Sequence, residues 1–116
     1  MRHGKIHRKF GRVKKVRTAL TRSLLRSLIM HESIETTQAR AKEIRPMIEK
    51  LVSRGRTDSV SNRRIVTARL GSAPRETKKL FTALSPRFKD RKGGYTRITK
   101  LSPDASGARA RIEFVE

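Results

Sequence analysis

No carboxylate precedes Glu32. The stretch before it carries Arg2, Lys5, Arg8, Lys9, Arg12, Lys14, Lys15, Arg17, Arg22 and Arg26, with His3 and His7 among them. Ion pairing cannot hold such a segment against itself, because its charges are all of one sign and repel. It folds compactly only where its apolar residues find a partner, or where a dense array of negative charge meets it. Phosphate is the commonest such array, so the segment reads as a polyanion binder with nucleic acid as its partner.

The rest of the chain keeps the imbalance: 30 Lys and Arg stand against 10 Asp and Glu in 116 residues, a net charge of +20. That length fits one domain, residues 1–116. Leu, Ile, Val and Phe supply 27 of the residues, just above the level of about one fifth below which a highly charged chain stays disordered. A small core is possible, and binding a partner helps to hold it. There is no Cys, which excludes disulfides and thiolate metal sites. The longest apolar-rich stretch, Leu24 to Met30, is interrupted by Arg26 and Ser27 and falls far short of a membrane span. The N-terminus has no apolar secretory region. Gly4 and Gly11 break any early amphipathic helix, and no Ser occurs before Ser23, which argues against a transit peptide. The expected compartment is the cytoplasm.

Residues 1–12 have no sustained period and read as an extended basic arm. From Val13 a helical spacing sets in, with Val13, Val16, Leu20, Leu24, Ser27 and Leu28 in one sector and Lys15, Arg22 and Arg26 on the far side. His31 to Thr37 fits a short strand, with Thr36 or Thr37 as the cap of a helix over 38–54 that Gly55 ends. Pro46 should kink that helix by removing a backbone donor. Thr57-Asp58-Ser59 caps a helix over 60–70, closed by Gly71. A fourth helix starts at Ser72-Ala73-Pro74 and is ended by Ser85-Pro86. Tyr95 to Leu101 and Ala108 to Val115 read as strands of a hairpin, the second alternating Ala108, Ala110, Ile112 and Phe114 against Arg109, Arg111, Glu113 and Val115. The fold class is α+β: about four helices on one face of a small sheet.

A hydrolase or nuclease needs clustered carboxylates or an activated nucleophile, and the ten acids are scattered singly. No nucleophile elbow or phosphate-cradling loop occurs, so no catalytic residue and no cofactor is expected. His3 and His7 are spaced like helical metal ligands, but Gly4 lies between them and no third ligand is near. His31 is placed to cap the carbonyls ending the first helix. The run from Arg87 to Arg97 is more specific. Gly93 and Gly94 let a backbone approach a phosphate, cations flank them, and Tyr95 is available to stack on a base unless it is part of the core. Aromatics are otherwise scarce, which favours recognition of folded RNA by shape and phosphate over a stacking platform.

The chain resembles the bacterial-type ribosomal protein L17 family. The resemblance rests on Met1-Arg2-His3, on Ser27-Leu28-Ile29 with His31-Glu32, on Ile34-Glu35-Thr36-Thr37 and on Ala39-Arg40-Ala41-Lys42-Glu43. It continues through Asn62-Arg63-Arg64, Leu80-Phe81, Pro86-Arg87-Phe88, Gly93-Gly94-Tyr95-Thr96-Arg97-Ile98 and Ile112-Glu113-Phe114-Val115-Glu116. It implies a non-catalytic rRNA-binding constituent of the large ribosomal subunit, near the exit of the nascent-chain tunnel, with rRNA and neighbouring ribosomal proteins as partners. It also implies that the early strand joins the C-terminal hairpin in one three-stranded sheet. The expected RNA contacts are the arm (Arg2, His3, Lys5, Arg8, Lys9, Arg12), the first helix (Lys14, Lys15, Arg17, Arg22, Arg26), Arg63 and Arg64, and the late run. In that run they are Arg87, Lys89, Arg91, Lys92, Gly93, Gly94, Tyr95 and Arg97. The alternative is a DNA-binding protein that uses Ser61-Asn62-Arg63-Arg64 at a helix start to read base edges. A third reading, a small nucleic-acid-processing enzyme, lacks the acids it would need.

Overall fold

The computed structural model describes residues 13–105 and 107–115; the arm with its six expected contacts lies outside them. Four helical rods pack on one face of a three-stranded antiparallel sheet. In chain order they are α1 (Lys14–His31), β1 (Ser33–Thr37), α2 (Gln38–Gly55), α3 (Val60–Arg69), α4 (Pro74–Lys79), β2 (Thr96–Asp104) and β3 (Gly107–Phe114). The sheet order is β1-β3-β2. The early strand therefore does join the hairpin, and it takes the free edge of β3.

Strand alternation sorts the two faces of the sheet. Ile34, Ile112 and Ile98 lie opposite one another across the three strands and face the helices. Glu35, Arg111, Glu113 and Arg97 face the other way. Against the apolar face α2 lays Ala41, Ile44, Ile48 and Val52, all fully buried. Thr37 caps α2, its hydroxyl accepting the Arg40 N–H at 3.2 Å, and Ser59 caps α3 through the Asn62 N–H at 3.1 Å. Pro46 does not divide α2. It and Lys42, whose carbonyl it leaves without a helical donor, are both exposed, so solvent can satisfy that group.

Two expectations about the course of the helices need correction. Ser85-Pro86 does not end the fourth helix. The chain keeps helical dihedrals through a wide π-turn at Leu80–Leu84 and a final α-turn, α5 (Ser85–Arg87). In the π-turn the Ser85 N–H reaches back to Leu80 O. Widening the turn gives the Pro86 ring room beside the carbonyl that an α-helix would press against it. The face of α1 is also rotated from its expected position. Leu25, Leu28 and Ile29 are buried, whereas Val13 is 70% and Val16 47% exposed, because the first turns overhang the body. Arg22 and Arg26 consequently turn toward the end of α3 rather than away from the core.

The end of α1 is a junction. Glu32 takes a left-handed conformation (φ 63°) and caps the helix with its N–H on Leu28 O. Its carbonyl accepts the Phe114 N–H at 3.0 Å, and its carboxylate meets Arg87 at 2.7 Å and Lys79 at 3.3 Å. These cations, first the Arg87 hydrogen bond, hold the carboxyl below its ordinary value against the opposing pull of burial. Lys79 Nζ also donates to Met30 O at 2.7 Å. The capping role expected of His31 thus belongs to Lys79, and His31 is exposed.

Candidate nucleic-acid interface

Charge is divided unevenly between the two sides of the molecule. On the sheet face turned away from the helices, Arg97 meets Glu113 at 2.9 Å, Arg111 meets Glu35 at 3.1 Å and Arg109 meets Asp104 at 3.3 Å. Each cation there has an acid of its own, so the face offers little net field to a polyanion. On the helical side a furrow runs between α1, α2 and α3. Its open end lies by Lys14 and Lys15. Its middle is bounded by Arg22, Lys50 and Arg69, and it widens to a cleft of about 710 Å³ beside Arg54 and Gly93. Thr18 and Arg22 are common to the first two sections, and Lys50, Leu51 and Arg69 to the last two, so the three sections adjoin one another.

Among the described residues, Lys14, Lys15, Arg22, Lys50 and Arg69 have no carboxylate partner. The acid lining the furrow, Glu49, is occupied. One oxygen accepts the Tyr95 N–H at 3.1 Å and the other the Thr96 hydroxyl at 3.0 Å. Both bonds fix the start of β2 to α2, which sets the preceding glycine loop at the furrow's wide end. Gly94 needs its glycine, since its φ is +63°. Arg91 Nη1 donates to Gly94 O at 3.1 Å and pins the turn. A Cβ on Gly93 would meet nothing, so the loop backbone is open to a ligand rather than packed against the protein.

The residues expected from sequence separate into two groups. Lys14, Lys15, Arg22 and Gly93 line the furrow, Lys92 and Gly94 belong to its loop, Lys89 lines a separate cavity beside Arg56 and Asp58, and Arg64 lies exposed on the flank of α3. Arg17 is half-buried, with its Nε enclosed and unpaired. Others are committed to the fold. Arg26 donates to Leu70 O at 3.1 Å, Arg87 holds Glu32 and Arg97 holds Glu113. Arg63 grips Asp58 with two bonds of 2.6 and 2.8 Å and lies 5.2 Å over the Phe81 ring. That grip lowers the Asp58 pKa and raises that of Arg63.

Tyr95 is core. It is 1% exposed, its ring lies 5.3 Å from that of Phe88, and its hydroxyl accepts from Arg56 at 3.2 Å. No face of it is left for a base. Sequence reasoning missed Lys50, Arg54 and Arg69. Lys50 and Arg54 are one helical turn apart, a spacing that could have marked them as a stripe. Arg69 joins them only through tertiary packing.

The helix start at Ser61 holds two of its polar side chains against the protein. Asn62 donates to Thr57 O at 2.8 Å and accepts from Arg54 at 3.3 Å, and Arg63 is held by Asp58. Both side chains are engaged within the protein, which leaves Ser61 and Arg64 as the exposed residues of that run and weakens the DNA-reading alternative. The remaining arrangement is a cationic track with a glycine loop at one end. Residues 20–116 match the family described as ribosomal protein L17. The chain belongs to the ribosomal protein L17 family. A large ribosomal subunit protein bL17 from Rhodopseudomonas palustris strain TIE-1 is 45% identical over 118 positions, covering all of this chain and 84% of that protein. The bL17 of Novosphingobium aromaticivorans is 48% identical, with 83% of its length covered. That of Bradyrhizobium diazoefficiens is 44% identical, with 85% covered. Membership makes the chain a structural ribosomal protein and not an enzyme. Among the described residues no helix is long and apolar enough to cross a membrane.

Proposed function

We propose that this chain is a constituent of the large ribosomal subunit that binds folded rRNA through phosphate contacts along the furrow. Lys14, Lys15, Arg22, Lys50, Arg54 and Arg69 face the RNA. Arg2, His3, Lys5, Arg8, Lys9 and Arg12 of the arm add further contacts to the RNA, and Lys89, Lys92, Gly93 and Gly94 serve the far end of the track. The observation that carries this reading is the convergence of unpaired cations on one furrow while the sheet face neutralises its own. Phosphates drawn to such a track release counterions, which supplies the affinity. The more neutral sheet face is left for solvent or for neighbouring ribosomal proteins. The proposal also puts the chain near the exit of the nascent-chain tunnel, a location supported by family resemblance alone.

The test is retention on the subunit. The full chain should stay with large subunits through a high-salt wash, and backbone cleavage of their rRNA should show a protected tract. Lys50→Gln with Arg69→Gln should expose that tract. Release of the wild-type chain in the wash, with no protection beforehand, would contradict the reading.

A further inference from the structure

The furrow is not cationic along its whole length. Its middle section, about 350 Å³, has an apolar floor of Leu25, Met47 and Leu51 beneath a rim of Arg22, Lys50 and Arg69. Leu25 is 4% and Leu51 3% exposed, so their packing fixes the floor. Thr18 and Thr21 form the α1 wall. Their hydroxyls donate to Lys14 O at 2.9 Å and Arg17 O at 3.2 Å, so neither proton is offered to the slot. On either side the lining turns polar: Lys14 and Lys15 at one end, Arg54, Asn62 and Ser53 at the other.

A phosphate has no reason to enter the middle section, since an apolar floor would strip its hydration and return no hydrogen bond. A nucleobase suits it. The faces of a base are apolar, its edges are polar, and the ribose that carries it is linked to a phosphate on each side. A methionine thioether and guanidinium planes provide soft surfaces for such a ring where aromatics are lacking. Charge, apolar slot and charge follow one another along the furrow as phosphate, nucleoside and phosphate do along a strand, with the base turned sideways into the slot. We propose that this slot takes one unstacked RNA base, with Arg22, Lys50 and Arg69 holding the phosphates on either side. The proposal rests on the furrow being the RNA interface.

The test compares two ligands of equal charge on the full-length protein: oligouridylate, and a ribose-phosphate chain of the same length without bases. A track that reads phosphate alone binds both equally. The slot should favour the base-bearing chain by roughly five-fold or more, the range of a single base stacking contact. Thr18→Leu and Thr21→Leu each push an aliphatic branch into the slot from α1, at sites where Leu suits a helix better than Thr. Each should bring the two ligands to parity, leaving the salt dependence unchanged and the melting temperature no lower than that of the wild type. Equal wild-type binding of the two ligands overturns the slot and leaves the furrow reading standing; no binding of either overturns the furrow reading itself. A base preference that survives in both folded variants, or a lower melting temperature with the preference intact, assigns the slot to the chain's own packing and overturns the proposal.

Discussion

A Cβ on Gly55 would land on the hydroxyl oxygen of Ser85, and that oxygen has nowhere to go. Ser85 is fully buried and donates to Val52 O at 3.1 Å, joining the end of α2 to the turn that carries Pro86. Gly55→Ala should therefore cost about 1–3 kcal/mol, the usual range for overpacking a tight contact. Adding Ser85→Ala should restore part of that, which thermal melts of the single and double variants would show. Glu32 makes a second residue-scale prediction. Its carboxyl is held below the ordinary value of 4.5 by Arg87 and Lys79. A lowered folded pKa means stability that is present above the unfolded value and is lost as pH falls through the folded one. The side chain is about a third exposed, so solvent screens the pair, and Glu32→Gln should cost only about 0.5–1 kcal/mol at neutral pH. Denaturant melts should show that gap closing below pH 4.5. A gap that persists in acid would mean that the ion pairs are not its source.

At the scale of elements, the parts legible in the sequence were those whose partners are local. Thr37 and Ser59 cap the helices they precede, and the alternation of Ala110, Ile112 and Phe114 marks β3 as half-buried. Two things were not legible, for one physical reason. Periodicity shows that α1 has an apolar side but not how far its partner extends, so the spacing alone puts Val13 and Val16 in a core that stops short of them. Likewise nothing local shows that Arg26 ends on the carbonyl of Leu70 or that Tyr95 turns inward to Arg56. The candidate site was half legible: the α1 cations and glycine loop could be read from spacing, but Arg69 meets Lys50 only after three helices have packed. Arg26 gives a prediction that separates the two kinds of cation. Arg26→Ala leaves the partly buried end of α3 without its donor and should cost about 1.5 kcal/mol, with the salt dependence of RNA binding unchanged. Thermal melts and binding isotherms on one preparation would check both halves of that statement.

For the whole molecule the dominant fact is a net charge of +20 around a small core. Without RNA this charge repels itself, and an inert salt should raise the melting temperature by screening it. A melting temperature indifferent to ionic strength would mean that the internal ion pairs already offset the repulsion. The same charge attracts RNA from every direction, so affinity alone does not locate the interface. Two triple variants with identical net charge do. One removes Arg22, Lys50 and Arg69 from the furrow as Gln, and the other removes Arg97, Arg109 and Arg111 from the sheet face in the same way. The measurement is the salt dependence of binding to large-subunit rRNA. The furrow variant should lose about 2.1–2.7 units of slope, near 0.7–0.9 for each of three phosphate contacts, while the sheet variant keeps the wild-type slope. Equal losses in the two variants would mean that binding follows net charge, and the furrow would not be the interface.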